Sequence, residues 1–169
     1  MSTAVLDLPQ GSLELLDTDV AQTLLAAAIP ARVAFTATDG TPRIVPTWFR
    51  WAGSEVVMPT FIAAPHVSGP SRRIAALRAR PDVAVSIDTE QTPSQALLLR
   101  GQVDITEVDG IDPDFADAAH HYLGAEGADD YLGMADQPGT RMARIALRPT
   151  WVGLLDFDGG RLPDIMSGR

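Results

Sequence analysis

Residues 96–108, ALLLRGQVDITEV, read as one long strand with a glycine, Gly101, near its middle. A glycine inside a strand pattern predicts a bulge or bend. One strand bent in this way can serve two parts of a barrel, so the pattern points to a small β-barrel rather than to a layered parallel sheet. The polar residues 90–94 precede this strand and Asp109-Gly110 closes it.

The flanking segments support that reading. Upstream, residues 83–88 predict the preceding strand, and residues 71–80 predict a helix with Ile74, Leu77 and Arg78 at helical spacing, stopped by Pro81. Before an irregular stretch at 63–70, residues 55–62 form a strand with a ladder defect at Pro59. Residues 43–51 form another, in which Pro46 cannot donate to a ladder and so predicts an edge or bulge where a sheet opens toward a ligand. The first strand, 32–38, alternates Val33, Phe35 and Ala37 with Ala34, Thr36 and Thr38 and turns at Asp39-Gly40. A helix capped by Asp17 or Thr18, with Val20, Leu24 and Leu25 on one face, ends before Pro30.

Downstream, Asp112-Pro113 starts a helix whose apolar face is Phe115, Ala119, Tyr122 and Leu123 and which Gly124 terminates, with a short helical piece around 130–134. Residues 142–147 and 151–157, bent at Pro149, make the last strand or strands, and Asp158-Gly159-Gly160 turns into a tail. The predicted architecture is mainly β with helices (α+β): a six-stranded antiparallel barrel with helices packed outside it. Residues 1–169 are read as a single domain, with a core of about 18–157 and tails at 1–11 and 158–169.

Composition narrows the chemistry. Thirteen basic against 22 acidic residues give a formal charge of −9, which disfavours nucleic acid and anionic membranes as partners. The absence of cysteine excludes disulfides, thiolate metal sites and cysteine nucleophiles, and suits a cytoplasmic protein. The apolar residues 24–31 do not make a secretory signal, because acidic residues precede them and the first basic residue is Arg32. No apolar run approaches the ~20 residues that span a bilayer.

Hydrolase, nucleotide-kinase and dinucleotide motifs are absent. Adjacent His120 and His121 point about 100° apart on a helix and cannot share a metal, so no metal site is expected. Asp112, Asp114 and Asp117 suit a helix N-terminus, and Asp129 and Asp130 a solvated surface. The segment 71–80 stands out because Arg72, Arg73, Arg78 and Arg80 put four of the 13 basic residues within ten positions. Ser71, Arg72 and Arg73 at a helix start are suited to a phosphate, whereas Arg78 and Arg80 lie at the end where cations are favoured anyway.

These segments resemble the split β-barrel superfamily of flavin and deazaflavin oxidoreductases, which includes pyridoxamine 5'-phosphate oxidase and the reductases that use coenzyme F420. The resemblance runs from about Ala31 to Phe157 and rests on order and spacing. Its pieces are Ala31-Arg32-Val33-Ala34-Phe35-Thr36, Asp39-Gly40-Thr41-Pro42, Val57-Met58-Pro59-Thr60, Ser71-Arg72-Arg73, Pro81-Asp82-Val83 and Leu98-Leu99-Arg100-Gly101.

The resemblance implies a homodimer with the cofactor at the subunit interface and a small-molecule substrate. It implies that Met58 and Thr60 lie at a strand end near the cofactor, Thr60 holding its phosphate, and that Ser71, Arg72 and Arg73 grip that phosphate. Pro46, Thr47 and Trp48 would lie along the flavin ring, with Trp48 equally readable as a packing aromatic, and Gln95 would make a polar contact. The Arg-x-His motif of the pyridoxamine 5'-phosphate oxidases is missing, since no histidine follows His121. The closing Thr150-Trp151-Val152-Gly153 looks more like the F420-using branch, with FMN the alternative cofactor. The resemblance implies hydride transfer from reduced F420 to a small organic acceptor, with an FMN-dependent oxidoreductase or a non-catalytic cofactor carrier or sensor as the alternatives; the hydride chemistry belongs to the cofactor, no catalytic side chain is assigned, and His66 and solvent are the open candidates for an acid or base.

Overall fold

The computed structural model describes residues 8–67 and 71–162. Nine strands are hydrogen-bonded into one sheet system: β1 (Ala31–Thr36), β2 (Pro42–Thr47), β3 (Arg50–Trp51), β4 (Val56–Val57), β5 (Thr60–Ala63), β6 (Asp82–Asp88), β7 (Gln95–Asp109), β8 (Arg141–Leu147) and β9 (Trp151–Asp156). The helices are α1 (Asp19–Leu25), α2 (Arg72–Ala79) and α3 (Pro113–Ala135). The ladder runs β2-β1-β6-β7-β8-β4-β3, with β5 also on β8 and β9 also on β7.

This corrects the six-stranded barrel expected from the sequence, because among the described residues nine strands form and the hydrogen-bonded ladder does not close. Two predicted strands are broken for local reasons. Pro59 offers no N–H and separates β4 from β5, although Met58 still donates to Ile145 O at 2.8 Å. Trp48-Phe49 separates β2 from β3, the two ends of the ladder; β8 and β9 match the segments expected at 142–147 and 151–157, on either side of Pro149.

β7 holds the system together. Its first half pairs with β6 on one side and β9 on the other, and its second half pairs with β8. Gly101 itself is not bulged, since its pairing with Val83 continues the β6 register unbroken. The slip lies on the opposite arm: Val103 pairs with Leu147 and Arg100 with Trp151, three steps on β7 against four on its partner. A Cβ on Gly101 would stand 2.7 Å from Arg148 O, so glycine is required there for close backbone approach.

Alternation in β1 buries Ala31, Val33 and Phe35, which join Val83, Val85 and Ile87 of β6, Leu97, Leu99 and Val103 of β7, and Val152 and Leu154 of β9 in the core. α1 and α2 close it with Leu24, Leu25, Ile74 and Leu77. Thr18 caps α1 as predicted: its hydroxyl accepts from Ala21 N–H at 3.3 Å and donates to Leu15 O at 2.8 Å. Residues 8–12 lie on β9, where Gln10 exchanges hydrogen bonds with Leu154 and Gly11 N–H donates to Val152 O at 2.7 Å.

Asp112 caps α3, accepting from the Asp114 and Phe115 N–H groups. Gly124 breaks that helix with φ 74° and ψ 174°, but a second helical stretch follows at once and reaches Ala135. The predicted apolar face is corrected at one position: Leu123 is exposed, whereas Phe115, Ala118 and Ala119 are buried. No helix among the described residues is long and apolar enough to cross a membrane.

Candidate functional site

The break between β2 and β3 turns Trp48 toward α3. Its ring stacks on Tyr122 with centroids 5.2 Å apart and lies near Phe115 and edge-on to Tyr131. Phe115 also meets Phe61 edge-on at 5.1 Å. Burial pushes the Tyr122 phenol up to about 12, and its hydroxyl donates to Ile29 O at 3.0 Å. Trp48 is therefore a packing aromatic, and it also borders a cleft of about 430 Å³ lined by Pro30, Pro46, Thr47, Trp48, Pro59, Thr60, Phe61, Phe115 and Tyr131. A concave, largely apolar site of that size suits a planar organic ligand.

Beside it, Thr47 and Met58 share a narrow internal gap with Arg73 and the aliphatic side chains of Val33, Leu77, Val83, Val103 and Ile145. Thr47 lines both spaces. Arg73 is half-buried, and among the described residues its guanidinium has no carboxylate or hydrogen-bond acceptor. Desolvation pulls it below the usual arginine range, yet a guanidinium remains protonated in proteins. A partly desolvated cation without a partner is costly, which makes Arg73 an anion-seeking group.

The structure thus gathers Pro46, Thr47, Trp48 and Thr60 at one cleft and Met58 and Arg73 at the adjoining gap. Ser71 is spent as the cap of α2, its Oγ accepting from Ile74 N–H at 3.3 Å, and Arg72 is exposed. Gln95 lies outside both spaces; its Nε2 donates to Asp156 at 3.0 Å. Arg78 is held by Glu107 and Arg80 donates to Ala37 O at 2.9 Å, so neither competes with Arg73 for a ligand. His66 is exposed and edge-on to Phe61 at 5.0 Å.

Pro30, Pro59, Phe61, Phe115 and Tyr131 were not assigned to the site from the sequence. Phe115 and Tyr122 were legible as one helix face. Tyr131 falls in the short helical piece expected around 130–134, but that piece follows Gly124 directly within α3, and this is what brings Tyr131 to the cleft.

The two halves of α3 are also tied across Gly124. His120 Nδ1 faces Ala116 O at 2.8 Å and His120 Nε2 faces Asp129 Oδ1 at 3.2 Å. Two acceptors are both satisfied only by the doubly protonated ring. The Ala116 carbonyl first, and then Asp129, hold the imidazole above its ordinary value. With the folded value above the unfolded one, the contact contributes fully below the ordinary imidazole range and is lost as pH rises through the raised value. NMR titration should show His120 titrating above the ordinary imidazole range in the native protein, and Asp129→Asn should remove part of that elevation.

No protein-family model matches the chain, and no curated protein matches it. Solved structures do. An F420 reductase superposes with a TM-score of 0.56 at 23% identity, over 78% of this chain and 94% of that one. A candidate pyridoxamine 5'-phosphate oxidase from Listeria innocua gives 0.55 at 17% identity, over 81% and 96%. HutZ, a heme storage protein of Vibrio cholerae, gives 0.51 at 12% identity, over 79% and 89%. The chain shares the α+β fold of these solved structures. Those proteins differ in their chemistry, and a shared fold leaves function to the site.

Proposed function

We propose that this chain is a flavin- or deazaflavin-dependent oxidoreductase that transfers hydride from reduced coenzyme F420 to a small organic acceptor, acting as a homodimer with the cofactor at the subunit interface. The observation that carries this reading is Arg73: a desolvated guanidinium without a partner among the described residues, beside a gap joined through Thr47 to an aromatic cleft. An anion together with a flat ring is what that donor set fits, and a phosphate-bearing isoalloxazine or deazaflavin has both.

Bound there, the cofactor would supply the hydride. Arg73 would hold the anionic end by charge-assisted hydrogen bonds. Trp48, Phe61, Phe115 and Tyr131 would exclude water from the ring and define its plane, and Thr47 and Thr60 would offer hydroxyls at the rim. The dimer is supported by β2, which ends the ladder with one edge unpaired among the described residues and presents Ile44 at 66% exposure.

The test is a fluorescence titration of purified protein with F420 and with FMN, followed by oxidation of the reduced cofactor against a panel of quinones and enones. Micromolar binding of F420 with turnover is expected. Binding of FMN alone would transfer the reading to FMN chemistry, and binding of neither would overturn it. F420 binding without turnover on any acceptor would make the chain a carrier.

A further inference from the structure

The segment 48–51 faces two cavities. Trp48 lines the aromatic cleft, while Phe49, Arg50 and Trp51 line a separate cavity of about 410 Å³ together with Gln22, Leu25 and Ala26 from the α1 end and Asp117, Ala118 and His121 from α3. No residue lines both. Leu25, Phe49 and Ala118 are buried and give this second cavity an apolar base.

Its polar lining is Gln22, Arg50, Trp51, Asp117 and His121, among which Asp117 and Gln22 offer free acceptor oxygens. Arg50 is already committed, with Nε at 2.8 Å from Asp117 Oδ2 and Nη1 at 2.7 Å from Asp114 Oδ1, so two carboxylates face this one guanidinium. Arg144 shares Asp114 but is itself divided between Asp114 and Glu55. Asp117 keeps Oδ1 without a partner among the described residues. Gln22 has given its Nε2 to Leu16 O at 2.7 Å, which leaves its carbonyl oxygen to accept. A carboxylate guest would meet Asp117, an Arg50 already neutralised, and the field of a chain of net charge −9. A protonated amine would find free acceptors and a favourable potential, with an apolar body against Phe49, Leu25 and Trp51.

We propose that this cavity binds a small protonated amine carried on an apolar or aromatic body, at a site separate from the cofactor cleft and independent of which cofactor occupies it. The ammonium donates to Asp117 Oδ1 and to the Gln22 carbonyl, and the body displaces water from the buried base.

The experiment is an amide NMR titration of the whole chain with 2-phenylethylamine and, separately, with 3-phenylpropionate, which has a similar body and the opposite charge. Expected are shifts at residues 22–26, 49–51 and 117–121, with the amine binding at least tenfold more tightly than the carboxylate. Asp117→Asn should weaken the amine about tenfold. Ala26→Phe, which fills the cavity from an exposed position, should abolish binding without lowering the melting temperature. Equal affinity for the two probes, no shifts with either, shifts centred on Trp48 and Tyr131, or undiminished binding in a folded Ala26→Phe variant would each overturn the proposal.

Discussion

Arg73→Ala should weaken binding of the phosphate-bearing cofactor by about 10²-fold while leaving the ligand-free protein as stable as before, or slightly more so. The two halves of that result have one cause. In the absence of a ligand the guanidinium is partly desolvated and faces no acceptor among the described residues, so its removal relieves a cost. With an anion present, charge-assisted hydrogen bonds of roughly 1.5–3 kcal/mol each disappear. Some packing by the aliphatic stem is lost as well, and Arg73→Met, which keeps most of the stem, separates the two contributions. Melting curves without ligand and a cofactor titration on both variants decide the matter. A destabilised ligand-free protein with undiminished affinity would make Arg73 a structural residue.

The second large effect concerns a residue with no side chain. Gly101→Ala should cost on the order of 3 kcal/mol or more, because its Cβ would lie 2.7 Å from Arg148 O and 3.0 Å from Leu147 Cδ1. The carbonyl belongs to backbone and cannot rotate away as a side chain would. The same substitution at Gly133, in the second half of α3 with nothing within 4 Å, should stabilise by roughly 0.5–1 kcal/mol through helix propensity. Urea unfolding of the two variants should give opposite signs. Equal small effects would show that residues 148–150 can move away from β7.

Much of this architecture was legible in the chain because its signals are local. The alternation of Val33 and Phe35, the Thr18 and Asp112 caps and the stop before Pro81 each depend on near neighbours, and each is where it was read. The break between β4 and β5 falls at a proline, Pro59, whereas the break at Trp48-Phe49 carries no such local mark, since Pro46 lies inside β2 and is paired there. Pro59 reads as a ladder defect within a strand, and its consequence, two short strands paired along one edge of β8, depends on the partner. Gly101 shows the same limit: the glycine was noticed, but the slip it accommodates sits about fifty residues away on the other arm.

At the site, charge was easier to read than shape. Arg73 announced itself as a basic residue at a helix start, yet Ser71 and Arg72, read with it, prove to be a cap and an exposed side chain. The cleft is walled by Phe61, Phe115 and Tyr131, which come from β5 and from both halves of α3. No periodicity relates them, so only the tertiary arrangement could bring them together.

β7 gives the molecule a thermodynamic property as well as a shape. One continuous strand carries the β6–β9 side on its first half and the β8 side on its second, so order in either half is passed directly along the backbone to the other. The chain is therefore built to lose its structure in one cooperative step rather than sheet by sheet. Free energy gained at either cavity is then felt by the whole ladder, as ligand linkage requires of a two-state protein.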